Sequence, residues 1–194
     1  THSQSLEKHI LGIPGLDVIA LNQLVEPAII FNKILNNRRP VVLIENKTLY
    51  TKKLFEDLPF GYNKEISRSK ESYPVVKLTP KEAVSSLTII CYGGIVEEVL
   101  KAIEIIFIDE EILADIFVVT DISTNYVPGL KDSILKSSKL CVVEEGNSFA
   151  SFSSEVIASL LEKNISNFKV LRISNNSIIP SSRKLEQNIL PTSA

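Results

Sequence analysis

Residues 87–108, LTIICYGGIVEEVLKAIEIIFI, constrain the fold more than any other stretch. The first six are rich in β-branched and aromatic side chains and predict a buried strand, Gly93-Gly94 predicts a tight turn, and the remainder predicts a helix. Apolar residues recur at Ile95, Val96, Val99, Leu100, Ile103, Ile106 and Phe107, with Glu97, Glu98, Lys101 and Glu104 on the opposite side. That spacing gives one face to a core. A strand, a glycine turn and a helix serve either as a phosphate cradle or as a plain folding unit. A dinucleotide fingerprint needs glycine again at its third and sixth positions, but counted from Gly93 these hold Ile95 and Glu98, and no Gly-Lys-Ser/Thr triplet occurs. Glu97 and Glu98 already complement the helix dipole and would repel a phosphate. The turn therefore reads as packing rather than as a nucleotide site.

Around this unit the periodicity alternates. Upstream, a short strand at 18–21, a helix with Pro27 in its first turn and the apolar run PVVLIE at 40–45 predict one β-α-β unit, the last strand being of the kind buried on both faces. Between 46 and 86 the pattern dissolves into mixed charges and three prolines, which predicts a linker with a short strand at 74–78. Downstream, strands at 114–120, 140–144 and 168–173 alternate with helices at 130–136 and 154–162. The fold class expected is α/β: a three-layer α/β/α arrangement on a mainly parallel sheet with right-handed crossovers. Residues 1–48 form a preceding β-α-β remnant, 49–85 the linker and 86–194 the main domain.

Composition narrows the function classes. Hydrophobic residues make up 44% of the 194, and no apolar run approaches the roughly 20 residues that span a bilayer. The formal charge of -2 is spread over mixed signs and leaves no electrostatic footprint for nucleic acid or a membrane surface. Cys91 and Cys141 each sit inside an apolar run without C-x-x-C spacing, which predicts buried free thiols and the cytoplasm or an organelle matrix. The N-x-S/T triplets at Asn46, Asn164 and Asn175 read as chance, and a chain opening on Thr1 reads as a piece of something longer. His2 and His9 are the only histidines, there is no G-x-S-x-G elbow, and a zinc site lacks ligands. On bare residues, then, His2 is an exposed terminal side chain. Glu144 and Glu145 close a strand, a usual place for sites in parallel sheets, and their plain reading is a solvated strand end.

Several motifs in order change the weight of these residues. His2-Ser3-Gln4-Ser5-Leu6-Glu7, Ile13-Pro14-Gly15-Leu16-Asp17-Val18, Pro40 through Asn46 and Leu49-Tyr50 come first. They are followed by Thr88 to Gly94, Val142-Val143-Glu144-Glu145-Gly146, Ser154-Glu155-Val156-Ile157, Ile179-Pro180, Leu185-Glu186 and Leu190-Pro191. Over essentially its whole length the chain resembles the β subunit of the thiamine-dependent 2-oxoacid dehydrogenases, the decarboxylating components of pyruvate and branched-chain complexes. The resemblance implies that 1–48 is the end of a domain gripping the aminopyrimidine of thiamine diphosphate, and that 86–194 is a transketolase-like C-terminal domain. It implies thiamine diphosphate and magnesium in the complete enzyme and neither on this piece, since the upstream glutamate has no counterpart here and the diphosphate site belongs to the α subunit. The implied partners are the α subunit, a second β subunit and the lipoyl acyltransferase component.

One catalytic residue carries over from the resemblance: His2 matches the H-S-Q histidine beside the cofactor, where an imidazole donates a proton or hydrogen bond to the oxygen that gains charge. Three departures stand out. The family's G-x-G-A-E is Ser151 to Glu155 here, the arginine of D-L-R-T-L is Ser123, and the potassium-binding D-x-N-P turn is Asn37-Arg38-Arg39-Pro40, whose positive charge argues against a cation. A non-catalytic assembly and docking module remains as an alternative. So does another transketolase-like enzyme such as a deoxyxylulose phosphate synthase, against which His2-Ser3-Gln4-Ser5 speaks.

Overall fold

The computed structural model describes residues 4–55, 58–67, 69, 72–124, 126–186 and 188–193, without the side chain of Arg183. The chain begins with β1 (Asp17–Ala20), α1 (Pro27–Asn36) and β2 (Val41–Ile44), and β1 and β2 pair in parallel as a two-stranded sheet. Pro27 opens α1, where its missing N–H would have had no helical partner. The expectation that the apolar run at 40–45 is buried on both faces is corrected: all four residues of β2 are only half-buried. Among the described residues β1 is its single neighbour, so its other edge and much of its faces stay uncovered.

The second sheet has six strands: β3 (Tyr62–Ile66), β4 (Val75–Pro80), β5 (Leu87–Tyr92), β6 (Ala114–Val119), β7 (Lys139–Val143) and β8 (Lys169–Ile173). Their order is β3-β4-β6-β5-β7-β8; β6, β5, β7 and β8 run parallel, while β3 and β4 join antiparallel. Residues 49–85, expected as a linker with one short strand at 74–78, thus contribute two strands to this sheet, β4 at the expected place and β3 in addition. The charges on these strands have a structural place. β3 is the edge strand, with Tyr62 buried and Asn63 and Glu65 turned to solvent. On β4, Lys77 lies over the Phe117 ring with its amine 3.6 Å from Asp115. A lysine stem can cover apolar surface while its head stays hydrated or paired, so a polar letter at this position did not signal a loop.

The helices are α2 (Val96–Glu110), α3 (Leu130–Ser137), α4 (Phe152–Glu162) and the short α5 (Arg183–Glu186). Alternation along the strands sorts the core into two layers. Ile89, Cys91, Ile116, Val118, Cys141 and Val143 face α2 and α1, whereas Ile90, Tyr92, Phe117, Val119, Leu140 and Val142 face α3 and α4. Both cysteines are free and buried, and burial pushes both thiols up. On α2 the buried stripe runs from Val96 to Ile103; Phe107, expected on the core face, is half exposed in the last turn before the cap at Glu111.

The small sheet is bonded to the large one. The Ala20 amide donates to the Thr120 carbonyl at 2.8 Å, and the Ile122 amide to the Val18 carbonyl at 2.9 Å. Ser123, in the place of the family's arginine, accepts from the Val18 amide at 3.1 Å and donates to Asp121 at 2.5 Å. Arg39 pairs with buried Asp17 at 2.9 Å.

Candidate functional site

β5 leads through α2 to β6 on one side, and the chain then crosses back to place β7 on the other side of β5. The loops at the carboxyl ends of β5 and β7 therefore diverge, and such a switch point is where an open α/β sheet leaves a crevice. Tyr92, Gly93, Gly94, Glu144 and Glu145 stand there. Gly93 adopts φ +67°, which lets β5 turn into α2 without steric cost. Gly94 is needed for a different reason: a Cβ on it would lie 2.0 Å from Nδ2 of Asn46. The turn is filled by a side-chain amide, as expected of a packing turn.

The reading of the two glutamates as a solvated strand end is corrected. Glu144 is 1% exposed; Ser151 donates to its Oε1 at 2.6 Å, and Ser153 donates to the same oxygen. Arg172, on β8, donates through Nε to Ser153 at 2.8 Å, through its terminal nitrogen to Ser154 at 2.9 Å, and to the Ser148 carbonyl. A buried carboxylate must be hydrogen-bonded to offset the loss of water, and the hydroxyls supply those bonds. The serines that replace the family's glycines thus hold Glu144 in place and link it to a guanidinium. The clue in the sequence was the serine-rich run SFASFSS at 148–154, shortly after the strand.

Glu145 is half-buried and accepts from Asn46 Nδ2 at 2.8 Å. Its carboxyl is pushed up to about 7, first by burial, then by the negative charges of Glu7 and Glu186, against the opposing bond from Asn46. Glu7 is also raised, by burial and, less, by Glu144. Tyr92 is buried, meets Phe152 edge-on at 5.3 Å between ring centres, and has its phenol raised well above the usual value by burial and then by Glu7, Glu144 and Glu145. Glu7, Tyr92, Glu144 and Ser151 border a cavity of about 10 Å³, room for one water molecule. Glu7 and Asn46 were visible in the sequence only as motif letters, because nothing local brings them to a strand end roughly a hundred residues away.

His2 lies outside the described residues. From Gln4 onward the chain is described: Gln4 donates to the Ile179 carbonyl at 2.5 Å, and the Ser5 side chain lies 3.5 Å from where a Cβ on Gly146 would stand. Gln4 and Ser5 therefore lie at the carboxyl end of the large sheet. Among the described residues no group of three or more His, Cys, Asp or Glu side chains could hold a metal ion. Thiamine diphosphate does not fit this crevice either, since Asn46 fills the glycine turn and the surrounding groups are carboxyls that would repel phosphate. A second depression of about 290 Å³ lies between α3 and α4. Its wall is largely apolar, from Val127, Leu130, Val156, Leu160 and Ile165, and its charged groups are at the helix surface.

Residues 77–194 match the family model described as transketolase, C-terminal domain. The chain belongs to that family. The transketolase C-terminal domain here is preceded by a segment that curated relatives also match. The β-1 subunit of the mitochondrial pyruvate dehydrogenase E1 component of Arabidopsis thaliana is 27% identical over 193 residues, covering 98% of this chain and 51% of the relative. The corresponding β subunit of Caenorhabditis elegans is 25% identical over 198 residues, with 98% and 53% covered, and that of Bacillus subtilis (strain 168) is 24% identical over 174, with 89% and 50% covered. The chain spans about half the length of these relatives. In fold it is similar to a split-gene transketolase solved as an inactive β4 tetramer, with a TM-score of 0.66 at 18% identity over 96% of this chain and 57% of that one.

Proposed function

We propose that this chain is the C-terminal half of the β subunit of a thiamine diphosphate-dependent 2-oxoacid dehydrogenase. The complete enzyme decarboxylates a 2-oxoacid oxidatively and passes the acyl group to a lipoyl carrier. The observation that carries this reading is the match of 98% of the chain, including the residues ahead of the transketolase C-terminal domain, to a pyruvate dehydrogenase E1 β subunit. Thiamine diphosphate and magnesium belong to the complete α/β enzyme, with the diphosphate and magnesium held by the α subunit and the pyrimidine by the half of the β subunit upstream of this chain. Residues 1–48 are the end of that pyrimidine-binding domain, and the sheet from β3 onward is the domain that supports β–β pairing and docking of the acyltransferase. The compartment is the cytoplasm or the mitochondrial matrix.

Within that enzyme His2 is the catalytic residue of this chain. Placed beside the cofactor, its imidazole holds a proton for the substrate oxygen that gains charge. The hydrogen bond of Gln4 to the Ile179 carbonyl, two residues further along the chain, supports that reading. A second reading, a non-catalytic assembly module, is favoured by the serine network that replaces the family's glycine-rich segment.

The test is reconstitution of the full-length protein with a 2-oxoacid dehydrogenase α subunit, thiamine diphosphate and magnesium. Turnover of pyruvate or a branched-chain 2-oxoacid, read as reduction of ferricyanide, is expected, and His2→Ala should lower it about 100-fold. A stable α/β complex without turnover of any 2-oxoacid would leave the assembly module. Turnover unchanged by His2→Ala would remove the role given to that residue.

A further inference from the structure

The depression between α3 and α4 is separate from the crevice at the switch point. Its floor is apolar: Val127, Leu130 and Ile165 meet Val156 and Leu160 of α4, each at most 9% exposed. Such a floor gains free energy when something other than water covers it. Three polar features interrupt it.

The first is a hydroxyl. Ser159, on α4, is 4% exposed and borders the depression. A buried hydroxyl ordinarily has a partner, and a serine inside a helix can donate to the carbonyl four residues earlier. Among the described residues the Ser159 hydroxyl makes no hydrogen bond, yet it is not sealed inside the protein, so it opens on the depression. The second is the start of α3. The helix begins after Gly129, whose φ of +77° turns the chain and which has no side chain to cap it. No oxygen among the described residues accepts from the Lys131 and Asp132 amides, and free N–H groups in a first turn carry the positive end of the helix dipole. The third is charge. Lys131 and Lys163 are exposed on the wall of the depression, and neither has an ion-pair partner among the described residues. Asp132, on the same wall, is exposed and pairs with neither lysine, which leaves the balance positive.

We propose that this depression binds a small monocarboxylate with an aliphatic or aromatic body. The body covers Val127, Val156 and Leu160, while the carboxylate accepts from the Ser159 hydroxyl and the first turn of α3, between Lys131 and Lys163. A bare phosphate would leave the apolar floor wet. A neutral apolar molecule would leave the hydroxyl and the two amides without partners, and only an anion with an apolar body satisfies both. The volume of about 290 Å³ is at the small end for ligand pockets, which favours a small acid over a peptide. Nothing in the site depends on thiamine chemistry, so it holds whether or not the full-length protein turns over a 2-oxoacid.

Isothermal titration of the full-length protein with 4-methylpentanoate tests the site. One molecule should bind per chain with a Kd of about 1 mM or below. The uncharged 4-methylpentanamide, which has the same body, and acetate, which has the charge without it, should each bind at least about tenfold more weakly. Ser159→Ala should weaken the acid about fivefold to tenfold, and Ser159→Leu, which puts a side chain into the depression, should abolish its binding. The exposed double change Lys131→Gln/Lys163→Gln should weaken it about threefold to tenfold and flatten its dependence on salt, which decides the matter even where a Ser159 variant does not fold. Absence of binding up to about 20 mM, an amide that binds as tightly as the acid, or an affinity that the double lysine change leaves in place overturns the proposal.

Discussion

At the scale of single residues, the switch point shows how small side chains set what a crevice holds. Gly94 has an ordinary backbone conformation, so its requirement is purely one of space: the nearest atoms to an added Cβ are Nδ2, Cγ and Cβ of Asn46, at 2.0, 2.5 and 3.0 Å. Because the contact extends to the root of that side chain, Asn46 must leave its site altogether. Gly94→Ala should cost about 1–3 kcal/mol in urea unfolding, in the range of other overpacked sites. Asn46→Ala in the same chain should recover part of the loss, and the non-additivity of the two changes is the measurement. The reverse logic applies at Ser151 and Ser153, where side chains in place of the family's glycines provide the partners that a buried Glu144 needs. In the sequence these serines stood out only as a departure. Which group they bind depends on β8 delivering Arg172 and β7 delivering Glu144, and no spacing reveals that.

At the scale of elements, helices and parallel strands were legible because their burial is one-sided or complete. β5, β6 and β7 are apolar runs with burial on both faces, and α4 presents Phe152, Val156 and Leu160 as a stripe at helical spacing. β3 was not legible and β4 only as the short strand expected at 74–78, since edge position and a lysine stem over an aromatic ring permit polar letters inside a strand. β2 erred in the other direction: its composition suits a central strand, whereas its single described neighbour leaves it half-buried. The packing of α4 onto the sheet offers a direct check. Phe152 is 2% exposed and supplies the edge contact to Tyr92, so Phe152→Ala should cost about 3–5 kcal/mol in denaturant unfolding. A cost below about 1 kcal/mol would mean that the helix start repacks around the cavity.

At the scale of the whole molecule, the question is whether the β1-α1-β2 unit is a separate body. Ile19, Leu24, Val25 and Ile30 share one core with α2 and β6, Val18 and Ala20 share the other with α3 and α4, and backbone bonds join β1 to the end of β6. Elements that share cores and backbone bonds lose both together, so calorimetry on this chain should show one cooperative transition; two resolved transitions would make residues 1–48 an independent unit. The division of labour between sequence and structure then becomes clear. The sequence by itself determined the α/β class, the strand–glycine–helix unit at its centre and the unsuitability of that turn for phosphate, because hydrophobic period, glycine spacing and local charge act over a few residues. The tertiary structure alone decided that the Gly93-Gly94 turn is closed by Asn46, that Glu144 is buried among serines, and that the Asn46 amide reaches Glu145. Each of these depends on segments tens to more than a hundred residues apart being brought within a few ångströms, and only the closed fold sets such distances.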